Sequence, residues 1–138
     1  MAPRTGRALV DSIYQAMNAR DLDALDDLFA PDFLDHQDGG RGVEPLKEQL
    51  RSFVAAFSDL RIEVDDVVCE GDRLATRTTV TGTHDGELMG LAPTAARVSV
   101  SAVDLVRTED GRAAERWGGL DMYSLLIQLG VIPQPQSA

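Results

Sequence analysis

The stretch Arg97–Gly130, RVSVSAVDLVRTEDGRAAERWGGLDMYSLLIQLG, restricts the fold more than any other part of the chain. It reads as a strand, a tight turn, a returning strand and a short helix. Side chains alternate across a strand, so Val98, Val100, Ala102, Asp104 and Val106 share one face. Ser99, Ser101 and Arg107 fall on the other, beside Val103 and Leu105. Asp104 thus keeps apolar company, where a carboxylate has to find a partner, stay protonated or face a cavity. Glu109-Asp110-Gly111 reads as the hairpin turn, since Asp-Gly tolerates positive φ. The returning strand, about 113–119, carries Glu115 and Trp117 on one face, and the alternation turns Trp117 inward with Asp104. Asp121 then opens a helix in which Met122, Leu125, Leu126 and Leu129 recur at helical spacing.

Upstream, Leu9, Ile13, Ala16 and Met17 form one face of an amphipathic helix over 5–19, with Tyr14 beside that stripe. Asp21 is a good N-cap for a second short helix carrying Leu22, Leu25, Leu28 and Phe29, which Pro31 ends. FLDHQDGG follows as an extended piece containing Phe33 and His36, closing at Gly39-Gly40. A third helix spans about 43–57, with Phe53 on its inner face and Pro45 in its first turn. Segments 61–69 and 73–84 read as strands joined at Glu70-Gly71-Asp72, and 86–96 reads as irregular. Helices first and hairpin-linked strands afterwards predict an α+β fold: three helices on a curved, mostly antiparallel sheet, a short C-terminal helix, and a hollow between the layers. One domain accounts for the 138 residues, with its core over about 8–130 and a flexible tail over 131–138.

The charge balance excludes whole classes of partner. Twenty-three acidic residues against 13 basic ones give a net charge of -10, without the positive footprint that nucleic acid or an anionic membrane requires. One cysteine, Cys69, cannot form an intrachain disulfide and suits a reducing cytosol. No apolar run approaches membrane-spanning length, and the expectation is a cytoplasmic protein. Two unrelated histidines and one cysteine do not make a metal site. No glycine-rich phosphate loop and no G-x-S-x-G are present.

From Glu70 to Gly130 the chain resembles a SnoaL-like polyketide cyclase, a family of the nuclear transport factor 2-like superfamily. EGDR precedes a Thr-rich strand, TGTHDGE and MGLAPT follow it, and the EDGR hairpin, ERW, and LDM opening the QLG helix complete the series. FLDHQ and GVEPLKEQL extend the resemblance to roughly residues 8–130. It implies a cone-shaped α+β barrel around an apolar pocket, and an aspartate that abstracts a carbon-bound proton so that an intramolecular aldol condensation closes a ring. It implies no metal or organic cofactor, and a small aromatic polyketide as substrate.

Matched by motif, the base is Asp121, with Asp104 and His36 assisting protonation of the new alkoxide. The residues also admit plainer roles: Asp121 as a helix cap, Asp104 as a buried partner of Arg77 or another cation, His36 as a turn residue. Trp117 is placed to stack on a planar ligand or to pack as core. Tyr14, Arg77, His84, Phe33, Met89 and Phe53 complete the candidate substrate-binding set. Three alternatives stand beside the cyclase. One is an epoxide hydrolase with water held between carboxylates, although an arginine two residues before the strand aspartate is missing, that place being Ala102. The second is a steroid-isomerase-like or hydroxylase relative, and the third a non-catalytic binding or dimerisation module. Val103 and Leu105 on the outer sheet face predict a homodimer or homotetramer.

Overall fold

A computed structural model gives the structure of the chain and describes residues 6–37 and 39–135. Helix α1 (Gly6–Asn18) buries Leu9, Val10, Ile13, Ala16 and Met17, a face repeating every three or four residues. Helix α2 (Glu44–Ala56) starts with Pro45 in its first turn, where a missing N–H costs nothing. Six strands form one open, curved sheet: β1 (Phe29–Asp35), β2 (Gly40–Arg41), β3 (Arg61–Glu70), β4 (Arg73–Thr83), β5 (Arg97–Glu109) and β6 (Arg112–Leu120). Their order is β2-β1-β6-β5-β4-β3, antiparallel throughout except for the parallel pair β1–β6. Helix α3 (Met122–Gln128) follows β6 directly. The expected α+β architecture holds; the cone is a curved sheet with two free edges, not a closed barrel.

The second expected helix is a five-residue 3₁₀ turn, Asp23–Asp27. Asp21 does accept from Ala24 N at 3.2 Å, as its capping chemistry predicts. The helix stops early because Phe29 is already in β1, its ring edge-on to Phe33 with centroids 4.8 Å apart. Buried Lys47, on α2, reaches back to Asp26 at 2.7 Å and fastens α2 to this turn.

The long hairpins fall where the sequence places them. Asp110 and Gly111 have φ of 52° and 75°, the double positive that a two-residue hairpin turn needs. One irregularity matters for the site. Arg107 pairs with Glu115 and Thr108 with Ala113, so Ala114 is an extra residue in β6, a β-bulge. Beyond it the alternation is reversed relative to Ala113. Arg116 and Leu120 turn toward the helices, and Glu115 and Trp117 turn away.

The irregular 86–96 segment is tied down at its root. Asp85 N and Gly86 N both donate to Ala56 O at 3.0 Å, and His84 exchanges backbone bonds with Ala95 and Ala96 at 2.9 Å. At the far end, Val131 N and Ile132 N donate to Leu126 O at 2.9 and 3.3 Å; the rest of the expected tail lies partly outside the described residues, at 136–138. Among the described residues no helix is long and apolar enough to cross a membrane.

Candidate active site

A cavity of about 230 Å³ lies between α1, α2 and the inner face of the sheet. Its walls are mostly apolar, with Leu9 and Ile13 from α1, Phe33 from β1, and Leu50 and Phe53 from α2. Among its polar lining residues, Tyr14 (α1), Thr76 (β4), Asp104 (β5) and Arg116 (β6) come from four separate elements, with Gln37, Gln49 and Thr78 also on the wall. Asp104 is 5% exposed, and buried Val98, Val100 and Ala102 share its face, as the alternation predicts.

The partner Asp104 requires is Arg116. Arg116 Nε donates to Asp104 Oδ1 at 2.8 Å and Nη1 to Asp35 Oδ2 at 2.7 Å. Asp35 is itself buried, and its other oxygen accepts from Gln37 N at 3.0 Å. One planar guanidinium thus joins three strands, its fork matching two carboxylates as an ammonium could not. Burial alone would lower the Arg116 pKa, but the charges of Asp104 and Asp35 outweigh it and leave it raised, so the cation persists. Removing one member of such a buried set typically costs about 3–5 kcal/mol, because an uncompensated charge remains.

Tyr14 is the other cavity group whose pKa is shifted. Burial first, and the negative charge of Asp104 second, push its phenol from 10.0 up to about 12. It therefore stays protonated at neutral pH and can donate a hydrogen bond.

Of the ten sequence-predicted site residues, Asp104, Tyr14, Phe33 and Phe53 line this cavity. Asp121 does not. It is exposed between lining residues Leu120 and Met122, and its Oδ1 accepts from Ser124 N at 3.1 Å as the N-cap of α3. Trp117 lies on the opposite face of the sheet, put there by the bulge at Ala114, and His36, just past β1, stacks on it there. Their rings stack at 4.8 Å, Arg73 covers Trp117 at 5.1 Å, and His36 Nε2 meets Glu115 at 2.6 Å. Arg77 is directly opposite Val103, one residue out of phase with Asp104, and pairs with Asp66 at 2.7 Å on the outer face. His84 is fully buried behind Phe57, its Nδ1 accepting from Thr94 N at 3.1 Å, which makes it a structural tie for the 84–96 segment. Met89 is 72% exposed at the tip of a turn closed by Leu88 and Leu91. No group of three metal-ligating side chains occurs among the described residues.

Asp35, Thr76 and Arg116 are the residues sequence reasoning passed over, although they stand within FLDHQ, the Thr-rich strand and ERW. A buried aspartate on β5 was a signal to search the neighbouring strand for a cation. Asp104 faces Gly118 in the register, and Arg116 is the diagonal neighbour, within reach of a long side chain.

The chain matches the family model of SnoaL-like polyketide cyclases over residues 8–129. The chain belongs to this family. A nogalonic acid methyl ester cyclase of Streptomyces nogalater is 28% identical over 120 residues, spanning 83% of this chain and 90% of that one. AclR from Streptomyces galilaeus, a proposed hydroxylase, superposes with a TM-score of 0.83 at 34% identity, over 94% of this chain and 83% of its own. IdmH from Streptomyces antibioticus, a proposed polyketide cyclase, gives 0.79 at 34% identity, over 89% and 96%. As a SnoaL-like protein the chain brings a carboxylate, an arginine and two hydroxyls to the wall of a mostly apolar hollow, a layout suited to proton transfer on an apolar ligand.

Proposed function

We propose that this SnoaL-like protein closes a ring in an aromatic polyketide by cofactor-independent intramolecular aldol condensation, with Asp104 as general base. The observation that carries the reading is the buried Asp104 carboxylate, fixed by Arg116, on the wall of a mostly apolar cavity. A carbon between two carbonyls is acidic enough for a positioned carboxylate, because its enolate spreads into the conjugated system. Asp104 takes that proton, the electron pair moves onto the neighbouring carbonyl oxygen, and Tyr14 donates a hydrogen bond to it. The carbanion carbon then attacks the acceptor carbonyl, and the proton held by Asp104 passes to the new alkoxide. The apolar walls hold donor carbon and acceptor carbonyl in contact, which supplies much of the rate in a ring closure. The relative named for cyclising nogalonic acid methyl ester, together with the polyketide cyclase family model, supports the same substrate class.

A second reading has an observation of its own. Asp35, Arg116 and Asp104 form a carboxylate–arginine–carboxylate row, the arrangement that would hold a water molecule for attack on an epoxide. Here the arginine arrives from β6 instead of from the aspartate's own strand. The likeness to a proposed hydroxylase adds the related possibility of oxygen insertion. Incubation in air with a panel of aromatic polyketide methyl esters and their epoxides, followed by mass spectrometry, separates the three. Cyclisation gives an isomer of unchanged mass, hydrolysis adds the elements of water, and hydroxylation adds one oxygen atom. Products heavier than substrate would overturn the cyclase reading.

A further inference from the structure

Thr76 is 3% exposed, lines the cavity, and its Oγ1 is buried without a hydrogen-bond partner among the described residues. A buried hydroxyl left without a full hydrogen bond is costly, so a water molecule or a ligand group has to complete it. Its position supports that view. Thr76 is directly opposite Asp104 in the β4–β5 register, so the two side chains stand on the same face, roughly 5 Å apart at Cβ. Its hydroxyl is also near enough to Tyr14 to ease that phenol's ionisation, working against burial and Asp104, which raise it. Two hydroxyls therefore converge beside one carboxylate, and neither can act as a base near neutral pH.

We propose that Thr76 is a catalytic residue, the second donor, with Tyr14, of a two-point site for the carbonyl oxygen that becomes an enolate oxygen when Asp104 removes the adjacent proton. The inference rests on the cyclase reading for its chemistry and assigns the substrate an aryl ketone oxygen beside Asp104. Donors aimed at the place where charge develops stabilise the transition state more than the ground state. The proton goes to Asp104, the electron pair to the oxygen, and both hydroxyls keep their protons throughout.

The test uses the full chain and a simple probe, the bicyclic aryl ketone 1-tetralone, with tetralin as the analogue lacking oxygen. The carbonyl stretch of ¹³C=O-labelled 1-tetralone bound to the wild-type protein should lie below its value in hydrocarbon solvent. It should move back toward that value in Thr76→Val and in Tyr14→Phe, and stay low in Thr76→Ser. The preference for ketone over hydrocarbon should drop by about 3–10-fold in Thr76→Val. The melting temperature of Thr76→Val should equal or exceed that of wild type, because an unpartnered hydroxyl is removed. A stretch identical in wild type and Thr76→Val, or a lowered melting temperature with the stretch unmoved, would overturn the assignment. Failure of both probes to bind would overturn it together with the cavity's role as an aromatic site. Polyketide esters left unconverted while the stretch behaves as expected would remove the cyclase reading and leave the oxygen site standing.

Discussion

Tyr14 shows how one side chain can be read from both sequence and structure, and where the two part. Its place beside the apolar stripe of α1 is legible in the spacing, but the carboxylate across the cavity is not. Burial and that carboxylate raise the phenol pKa to about 12, so the protonated form is the one the fold stabilises. The contribution is complete below the unfolded value of 10.0 and is lost as pH rises through about 12. Ultraviolet titration of wild type against Tyr14→Phe should therefore isolate an ionisation near pH 12. A difference midpoint near 10 would place the phenol in water, away from Asp104. Asp104 teaches the complementary lesson. Its inward direction follows from alternation alone, but which cation it meets does not: Arg77, the one the sequence names, has a register with Val103 that turns it to the other face.

Among the elements, β6 departs furthest from its pattern. Counting in twos from Ala113 puts Glu115 and Trp117 inward; the bulge at Ala114 reverses the phase and brings in Arg116. A bulge depends on the pairing of two strands, so no reading of one strand could have located it. The same strand holds Gly118 at φ +113°, where an added Cβ would overlap the Val103 carbonyl oxygen and press on Asp104 Cα. Gly118→Ala should accordingly cost about 1–3 kcal/mol or more in chemical denaturation, from backbone strain alone, and lower activity by shifting Asp104. A variant as stable as wild type would mean that β6 has room the geometry denies. The hairpins, by contrast, were readable from Asp110-Gly111 and Gly71, since turn chemistry is local. The 3₁₀ turn at Asp23–Asp27 was half readable: its cap is in the sequence, but its length is set by the entry of Phe29 into the sheet.

At the scale of the whole molecule, helices before hairpins were enough to give the α+β class and the hollow, but not which side chains the sheet's curvature brings together. Its acidity has a consequence of its own. Asp59 is held below its ordinary 3.8 by bonds from Thr83 N and Oγ1, and Asp85 by Ser58 Oγ and N; His36 and Arg107 hold Glu115 below 4.5. Groups depressed on folding stabilise above their unfolded pKa and lose that contribution as pH falls through the folded one. The melting temperature should thus hold above about pH 5 and fall below about pH 4, less steeply in Asp59→Asn or Asp85→Asn. A variant as acid-labile as wild type would count against those bonds. The central claim is that the base is the carboxylate inside the cavity and not the one capping α3. It is tested by kcat for Asp104→Asn and Asp121→Asn, beside their melting temperatures, on an aromatic polyketide methyl ester that wild type cyclises. Folded Asp104→Asn should lose about 10²–10⁴-fold, the usual contribution of a general base. Asp121→Asn should keep both rate and stability, since Asn caps about as well as Asp. The opposite result, a folded Asp104→Asn enzyme near wild-type rate and an Asp121→Asn enzyme without activity, would contradict the account.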